Sequence, residues 1–234
     1  MRAVAVCEQG SVRGNNEDAL YYNIDSGFFA IADGMGGHEA GEIASSLAIE
    51  KVRIELEEKN IVSDGEMEKA FEETNKIISE KSCYKDQRLS MGTTLSVFII
   101  KEHRGYIGHV GDSRIYLIRN QEIIKLTEDH TYVEKLYQEG LITYEEYLIH
   151  PKKNILLKAL GSEKTINPQV LEFQILHGDI VFMCSDGVHN LLKNEELLNI
   201  ILQKKGKNAI KAINSLIESR GSTDNYSYII IDHL

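Results

Sequence analysis

The stretch Gly27-Phe28-Phe29-Ala30-Ile31-Ala32-Asp33-Gly34-Met35-Gly36-Gly37-His38 sets an apolar run directly against a carboxylate and three closely spaced glycines. An alanine-rich segment with helical spacing follows. That order predicts a strand, a sharp turn and a helix, with Asp33 where the strand leaves the sheet. Glycine lets a turn adopt positive φ and lets a backbone carbonyl approach an ion with no Cβ in the way. Taken alone, Asp33-Gly34 reads equally well as an ordinary turn dipeptide. Its surroundings decide between the two readings, because further aspartates occupy comparable settings.

Upstream, Arg2 to Cys7 reads as a strand and Glu8 to Asn16 as a polar loop. Ala19 to Asn23 reads as a short strand pairing with Phe28 to Ala32. Downstream, Ala40, Ile43, Ala44, Leu47, Ala48 and Val52 recur at helical spacing, which predicts an amphipathic helix over Glu39 to Glu58. A second helix starts near the cap Ser63-Asp64. Thr93 to Lys101 is almost continuously apolar and β-branched, as expected of a strand buried on both faces. Gly105 to Val110, Arg114 to Arg119 and Glu122 to Leu126 continue as an antiparallel meander with short turns. Glu128 to Gly161 is charged, tyrosine-rich and helical, an inserted flap with Gly140 between two short helices. Strands over Val170 to Leu176 and Ile180 to Cys184 follow, then helices over Asn194 to Gln203 and Asn208 to Ser219, and a closing strand over Tyr226 to Asp232. Strands and helices in this order, without a βαβ rhythm, predict an α+β fold with helices outside antiparallel sheets. The expectation is one domain over 1–234, with the flap at about 128–160.

The chain has 234 residues and a net charge of −10. It carries no basic run to neutralise a phosphate backbone, which argues against a nucleic-acid partner and against a two-metal nuclease. No apolar run reaches the ~20 residues that span a bilayer, and no leader pattern opens the chain, so a cytoplasmic protein without a membrane partner is expected. Cys7, Cys83 and Cys184 are odd in number and widely spaced, which fits a reducing compartment. Cys7 and Cys184 lie in apolar strand-like runs and read as buried small hydrophobes.

Acidic motifs sit at strand ends beside turn formers: Asn16-Glu17-Asp18, Asp33-Gly34, Gly111-Asp112-Ser113, Ser185-Asp186-Gly187 and Thr223-Asp224-Asn225. Carboxylates brought to one cleft repel each other, and a bound divalent cation offsets that repulsion. All-oxygen donors favour Mg²⁺ or Mn²⁺ over Zn²⁺. Arg114 reads as a structural ion-pair partner. His109, His130, His150, His177 and His233 show no metal-binding spacing and read as turn, cap or packing residues. The flap tyrosines Tyr132, Tyr137, Tyr144 and Tyr147 read as packing onto the sheets.

These residues also carry a resemblance. Gly10-Ser11-Val12-Arg13-Gly14-Asn15-Asn16-Glu17-Asp18-Ala19, Asp33 to His38, Met91-Gly92-Thr93-Thr94 and Val110 to Tyr116 resemble successive blocks of the protein phosphatase 2C-like, metal-dependent serine/threonine phosphatases (the PPM family). So do Leu126 to His130, His150-Pro151, Ala159-Leu160-Gly161, Cys184 to Gly187 and Asp224-Asn225, in order over essentially the whole chain. The likeness is to the compact bacterial type. It implies a β-sandwich of two antiparallel sheets flanked by helices, with a two-metal cleft at one end. It implies that Asp33 bridges both ions, that Asp186 and Asp224 complete the ligands of the first, and that the Gly34 carbonyl serves the second. Glu17 and Asp18 would hold metal-bound waters, Asp112 with Asp186 would match a third, weaker site, and Arg13 would grip the substrate phosphate. The implied reaction is hydrolysis of phosphoserine and phosphothreonine by a metal-activated water, in a monomer opposing a serine/threonine kinase. The competing reading is a catalytically weak phosphoprotein-binding module on the same fold. Animal relatives carry a histidine after the Asp-Gly pair as a proposed general acid. Met35 stands there and cannot donate a proton, and His38 need not reach the same place. Relatives usually carry a small hydroxyl residue where this chain has His189.

Overall fold

The computed structural model describes residues 1–36, 40–59, 62–83 and 91–234. Glu39 at the expected helix start and His38 lie outside them. Among the described residues, eleven strands form two antiparallel sheets. One sheet runs in the order β1 (Arg2–Glu8), β11 (Tyr226–Asp232), β10 (Ile180–Cys184), β7 (Arg114–Arg119) and β8 (Glu122–Lys125). The other runs β2 (Asp18–Asn23), β3 (Phe28–Met35), β5 (Leu95–Lys101), β6 (Arg104–Val110) and β9 (Gln169–Gln174), with the two-residue β4 (Gly92–Thr93) on the end of β3. Helices α1 (Ala40–Val52) and α2 (Asp64–Cys83) cover the second sheet, and α6 (Asn194–Gln203) and α7 (Lys207–Ser219) cover the first. The expected β-sandwich flanked by helices is present.

The alternation along β3 shows why these residues build these layers. Phe28, Ala30 and Ala32 face the helices and join the core with Ala44 and Ala48 of α1. Phe29 and Ile31 face the opposite way, into an inter-sheet core with Phe98, Ile115, Met183 and Ile229. A strand buried on both faces has no polar side to show, hence its continuous apolar run. The small alanines on both surfaces let α1 lie close to the sheet. A third core seats α6 and α7 on Tyr116, Phe182 and Tyr228.

The pairing of β2 with β3 is as expected, from Asp18 opposite Asp33 to Asn23 opposite Phe28. Other expectations need correction. The meander is broken, since β5 pairs with β6 in one sheet while β7 pairs with β8 in the other. Gly111-Asp112-Ser113 is therefore a crossover between the two sheets and not a hairpin turn. Gly111 makes the bend at φ +110°, where the Thr94 side chain leaves no room for a Cβ. The strand at Asp33 also continues through Gly34 and Met35, because β4 extends the ladder by pairing Gly34 with Thr93. Gly34 is required for close approach. A Cβ there would strike the carbonyl oxygens of Gly41 in α1 and Glu17 beside β2. Gly34→Ala is expected to cost about 1–3 kcal/mol, as overpacking does, read as a lower thermal midpoint. The helix expected to reach Glu58 changes to π-helical winding over Arg53–Glu58, where Glu57 accepts hydrogen bonds from Asn23 and Ser26. Cys184 is buried, but Cys7 is exposed near the end of the edge strand β1.

The flap holds α3 (Tyr132–Gln138) and α4 (Tyr144–Ile149), separated by Gly140 at φ +69°. Thr131 caps the first helix, and a Thr143–Glu146 capping box starts the second. Bridges between Thr131 and Leu156, and between Thr93 and Leu160, close its neck. Its tyrosines only partly follow the packing expectation. The Tyr147 hydroxyl reaches Asp129, but Tyr137 and Tyr144 are exposed.

Candidate active site

The ends of both sheets meet at a cavity of about 400 Å³ whose lining includes Arg13, Glu17, Asp33, Gly34, Asp112, Asp186 and Asp224. The structure thus gathers all but one of the site residues expected from sequence. The exception, Asp18, lies beneath the lining and opposite Asp33 in the ladder. Met35 also lines the cavity and packs against Gly92.

Each carboxylate is held by its backbone. The Asp33 N–H donates to Thr94 Oγ1 at 2.9 Å, and the Asp33 carbonyl accepts from the N–H of Thr94 and the hydroxyl of Thr93. Thr94 Oγ1 also meets Ser113 Oγ at 2.8 Å, which joins the Asp33 strand to the crossover. Asp186 opens the short helix α5 (Asp186–His189), and its Oδ2 accepts from Asn190 Nδ2 at 3.1 Å. Asn225 ties the N-terminal loop to β11. Its Oδ1 accepts from the Glu17 N–H at 2.8 Å, and its Nδ2 donates to the carbonyls of Gln9 and Asn15. Thr94, Ser185 and Asn225 are supporting residues that sequence reasoning left without a role. The available signal was a polar side chain inside or beside an otherwise apolar strand.

The electrostatics of the cluster are unfavourable as it stands. Asp33 is pushed well above the usual carboxylate range, by burial first and then by the charges of Asp18, Asp186, Asp112 and Asp224. Burial likewise raises Asp112 to about 8 and Asp186 to about 6, with neighbouring aspartates adding to it. Asp18 rises to about 7 through burial, although its Oδ2 accepts from Ser185 at 2.8 Å. Its Oδ1 is buried with no hydrogen-bond partner. Buried carboxylates crowded together in this way store repulsion that a cation relieves. The oxygen-only donors, the orphaned Asp18 oxygen and the Cβ-free Gly34 all fit a hard divalent ion.

Arg13 forks onto Asp224, with Nε to Oδ1 at 2.8 Å and Nη2 to Oδ2 at 2.9 Å. Among the described residues no three His, Cys, Asp or Glu side chains are gathered tightly enough to enclose an ion. Arg114 is the structural ion-pair partner expected of it. It reaches Asp129 at 2.5 Å, with Tyr116 and Tyr147 alongside. Burial alone would raise Asp129, but Arg114 more than offsets it and holds that carboxyl below its ordinary value. His109 is also a packing residue, buried between Ser96 and the carbonyls of Gly111 and Glu128.

The model of the family described as protein phosphatase 2C matches residues 3–136. The serine/threonine phosphatase Stp of Listeria monocytogenes is 32% identical over 241 residues, covering 99% of this chain and 96% of its own. The crystal structure of the Mycobacterium tuberculosis serine/threonine phosphatase PstP superposes with a TM-score of 0.91 at 32% identity, over 99% of this chain and 97% of that one. A structure of the PstP catalytic domain in complex with two manganese ions gives 0.87 at 31% identity, over 99% and 97%. With its motifs in order, its two-sheet fold and its carboxylates around one cavity, the chain belongs to the protein phosphatase 2C family of metal-dependent phosphoprotein phosphatases.

Proposed function

We propose that the chain hydrolyses phosphoserine and phosphothreonine in proteins, using two Mg²⁺ or Mn²⁺ ions and a third, weaker one. The observation that carries this reading is the set of five buried or half-buried aspartates and one arginine around a single cleft. Asp33, Asp186, Asp224 and the Gly34 carbonyl would hold the two ions, and Asp112 with Asp186 the third. When bound, such ions lower the pKa of water and offset phosphoryl charge. The chain's own residues do the rest. The Arg13 guanidinium is a planar fork matched to two phosphate oxygens, and its exchange of Asp224 for substrate is what binds the ester. Glu17 and Asp18 accept hydrogen bonds from water and hold it in place. Thr94 fixes the backbone of Asp33, so that its carboxylate needs little reorganisation. Met35 presents an apolar wall and offers no proton to the leaving group.

The reading extends to a single catalytic unit over 1–234 with the 128–160 flap inserted, working as a cytoplasmic monomer on phosphorylated proteins opposite a serine/threonine kinase. The free, separated Cys7 and Cys184 support a reducing compartment. Hydrolysis of an aryl phosphate and of a phosphothreonine peptide, measured with Mn²⁺ and then with excess chelator, tests the activity. Turnover with Mn²⁺ that falls to background in chelator is expected. Full activity in chelator, or metal-dependent peptide binding without turnover, would overturn it.

A further inference from the structure

His189 ends the short helix that Asp186 begins, and its Nε2 lies 2.9 Å from the carbonyl oxygen of Asp112. The bond joins two segments that the fold brings together from different places, the crossover at 111–113 and the helix after β10. Its neighbours in the crossover are pinned by other groups. Gly111 donates to His130 Nδ1 at 3.0 Å, and its carbonyl meets His109 Nε2 at 3.0 Å and the His130 N–H at 2.8 Å. Ser113 is bonded to Thr94. At Asp112 the carbonyl belongs to the peptide that sets the residue's ψ, and so the direction in which its carboxylate leaves the backbone. That carbonyl faces the His189 ring. A carbonyl oxygen can only accept, so the imidazole supplies an N–H to this bond. The contact to a carbonyl oxygen assigns that N–H to Nε2.

We propose that His189 is a positioning residue for the Asp112–Asp186 pair: by tying the Asp112 carbonyl to the helix that carries Asp186, it sets how tightly the pair holds the weakest divalent ion. The inference rests on the reading of Asp112 and Asp186 as the ligands of that ion. Partners behind a ligand orient it, and their loss typically costs about 10–100-fold in metal affinity.

The test is a Mn²⁺ titration of the full chain, followed by the paramagnetic resonance signal of the free ion. Wild type is expected to show a tight and a weak class of site, the weak class disappearing in Asp112→Asn. His189→Leu keeps bulk but removes the donor, and should weaken the weak class about tenfold while leaving the tight class in place. His189→Gln, whose amide can donate to the same carbonyl, should restore most of that loss. Should the leucine variant fail to fold by circular dichroism, His189→Ala gives the same reading without the bulk and without a donor. A weak class at wild-type affinity in a folded donor-less variant would overturn the proposal. So would tight and weak classes falling together, the mark of a merely structural role. A weak class that survives Asp112→Asn overturns the ligand reading itself, a failure distinct from that of His189.

Discussion

Replacing Asp33 by asparagine is expected to lower kcat/KM toward a phosphothreonine peptide by at least about a thousandfold, on the order of 4 kcal/mol of lost transition-state stabilisation at 1.36 kcal/mol per decade. The amide keeps the size of the side chain and leaves the backbone bonds to Thr93 and Thr94 untouched, so the fold should persist. It removes a charge that burial, and then four other aspartates, disfavour. The same substitution should therefore stabilise the metal-free protein at pH 8 while abolishing its gain in stability on adding Mn²⁺. Opposite effects on activity and on apo stability separate a metal-holding carboxylate from a structural one. Near-normal turnover in Asp33→Asn would remove this residue from the mechanism.

The second large effect is a stability of the metal-free protein that falls as pH rises. Asp18, Asp186 and Asp112 titrate at about 7, 6 and 8 in the folded chain, above their ordinary value of 3.8, and Asp33 lies well above that value too. Between these limits the folded state keeps protons that the unfolded chain has released. Stability linked to these groups is present below pH ~4 and is lost as pH rises through the folded values. Three histidines work in the opposite direction at the acid end. His109 and His189 are held down at about 3 and His130 at about 4, first by burial, so their contribution grows with pH until the unfolded value of 6.5 is passed. Above that point only the aspartates remain. Between pH 6.5 and 8 the metal-free protein is expected to lose on the order of 3 kcal/mol, read as a falling thermal midpoint in chelator. Saturating Mn²⁺ should flatten the profile, because a bound cation keeps the carboxylates ionised. A midpoint in chelator that is flat or rises over this window would contradict the proposed crowding of charge.

Much of this architecture was legible in the sequence, and the gaps have a common cause. Strand and helix periodicities are local, so β2, β3, β10, β11 and the flap helices emerge with little error. The order of motifs along the chain was enough to bring Arg13, Asp33, Asp112, Asp186 and Asp224 to one cavity. Local patterning could not show which sheet a strand joins. A turn of Gly111-Asp112-Ser113 suits a hairpin as well as a crossover, and only the space taken by Thr94 and the pairing of β7 with β10 decide between them. The same limit hid Gly34, whose missing Cβ serves a contact with Gly41 and not a left-handed turn. It hid His189, whose partner is 77 residues away. It also misplaced Cys7, because an edge strand and a central one look alike until their neighbours are known.

Two strands far apart along the chain, β1 and β11, meet in the first sheet, and this bears on the order in which the site can assemble. Among the described residues, strand β1 pairs with β11 alone, Arg2 lying opposite Asp232 and Glu8 opposite Tyr226. The fork from Arg13 to Asp224 and the bonds from Asn225 to Gln9, Asn15 and Glu17 span comparable distances along the chain. Arg13, proposed to grip phosphate, is made more than two hundred residues before Asp224, the ligand it faces. A nascent chain that stops short of Asp224 can close the inner layers around β3 and β5, but it leaves the N-terminal arm without a sheet to join. Closing so long a loop late makes this docking a slow step. Catalytic competence would then arrive all at once, when β11 reaches β1.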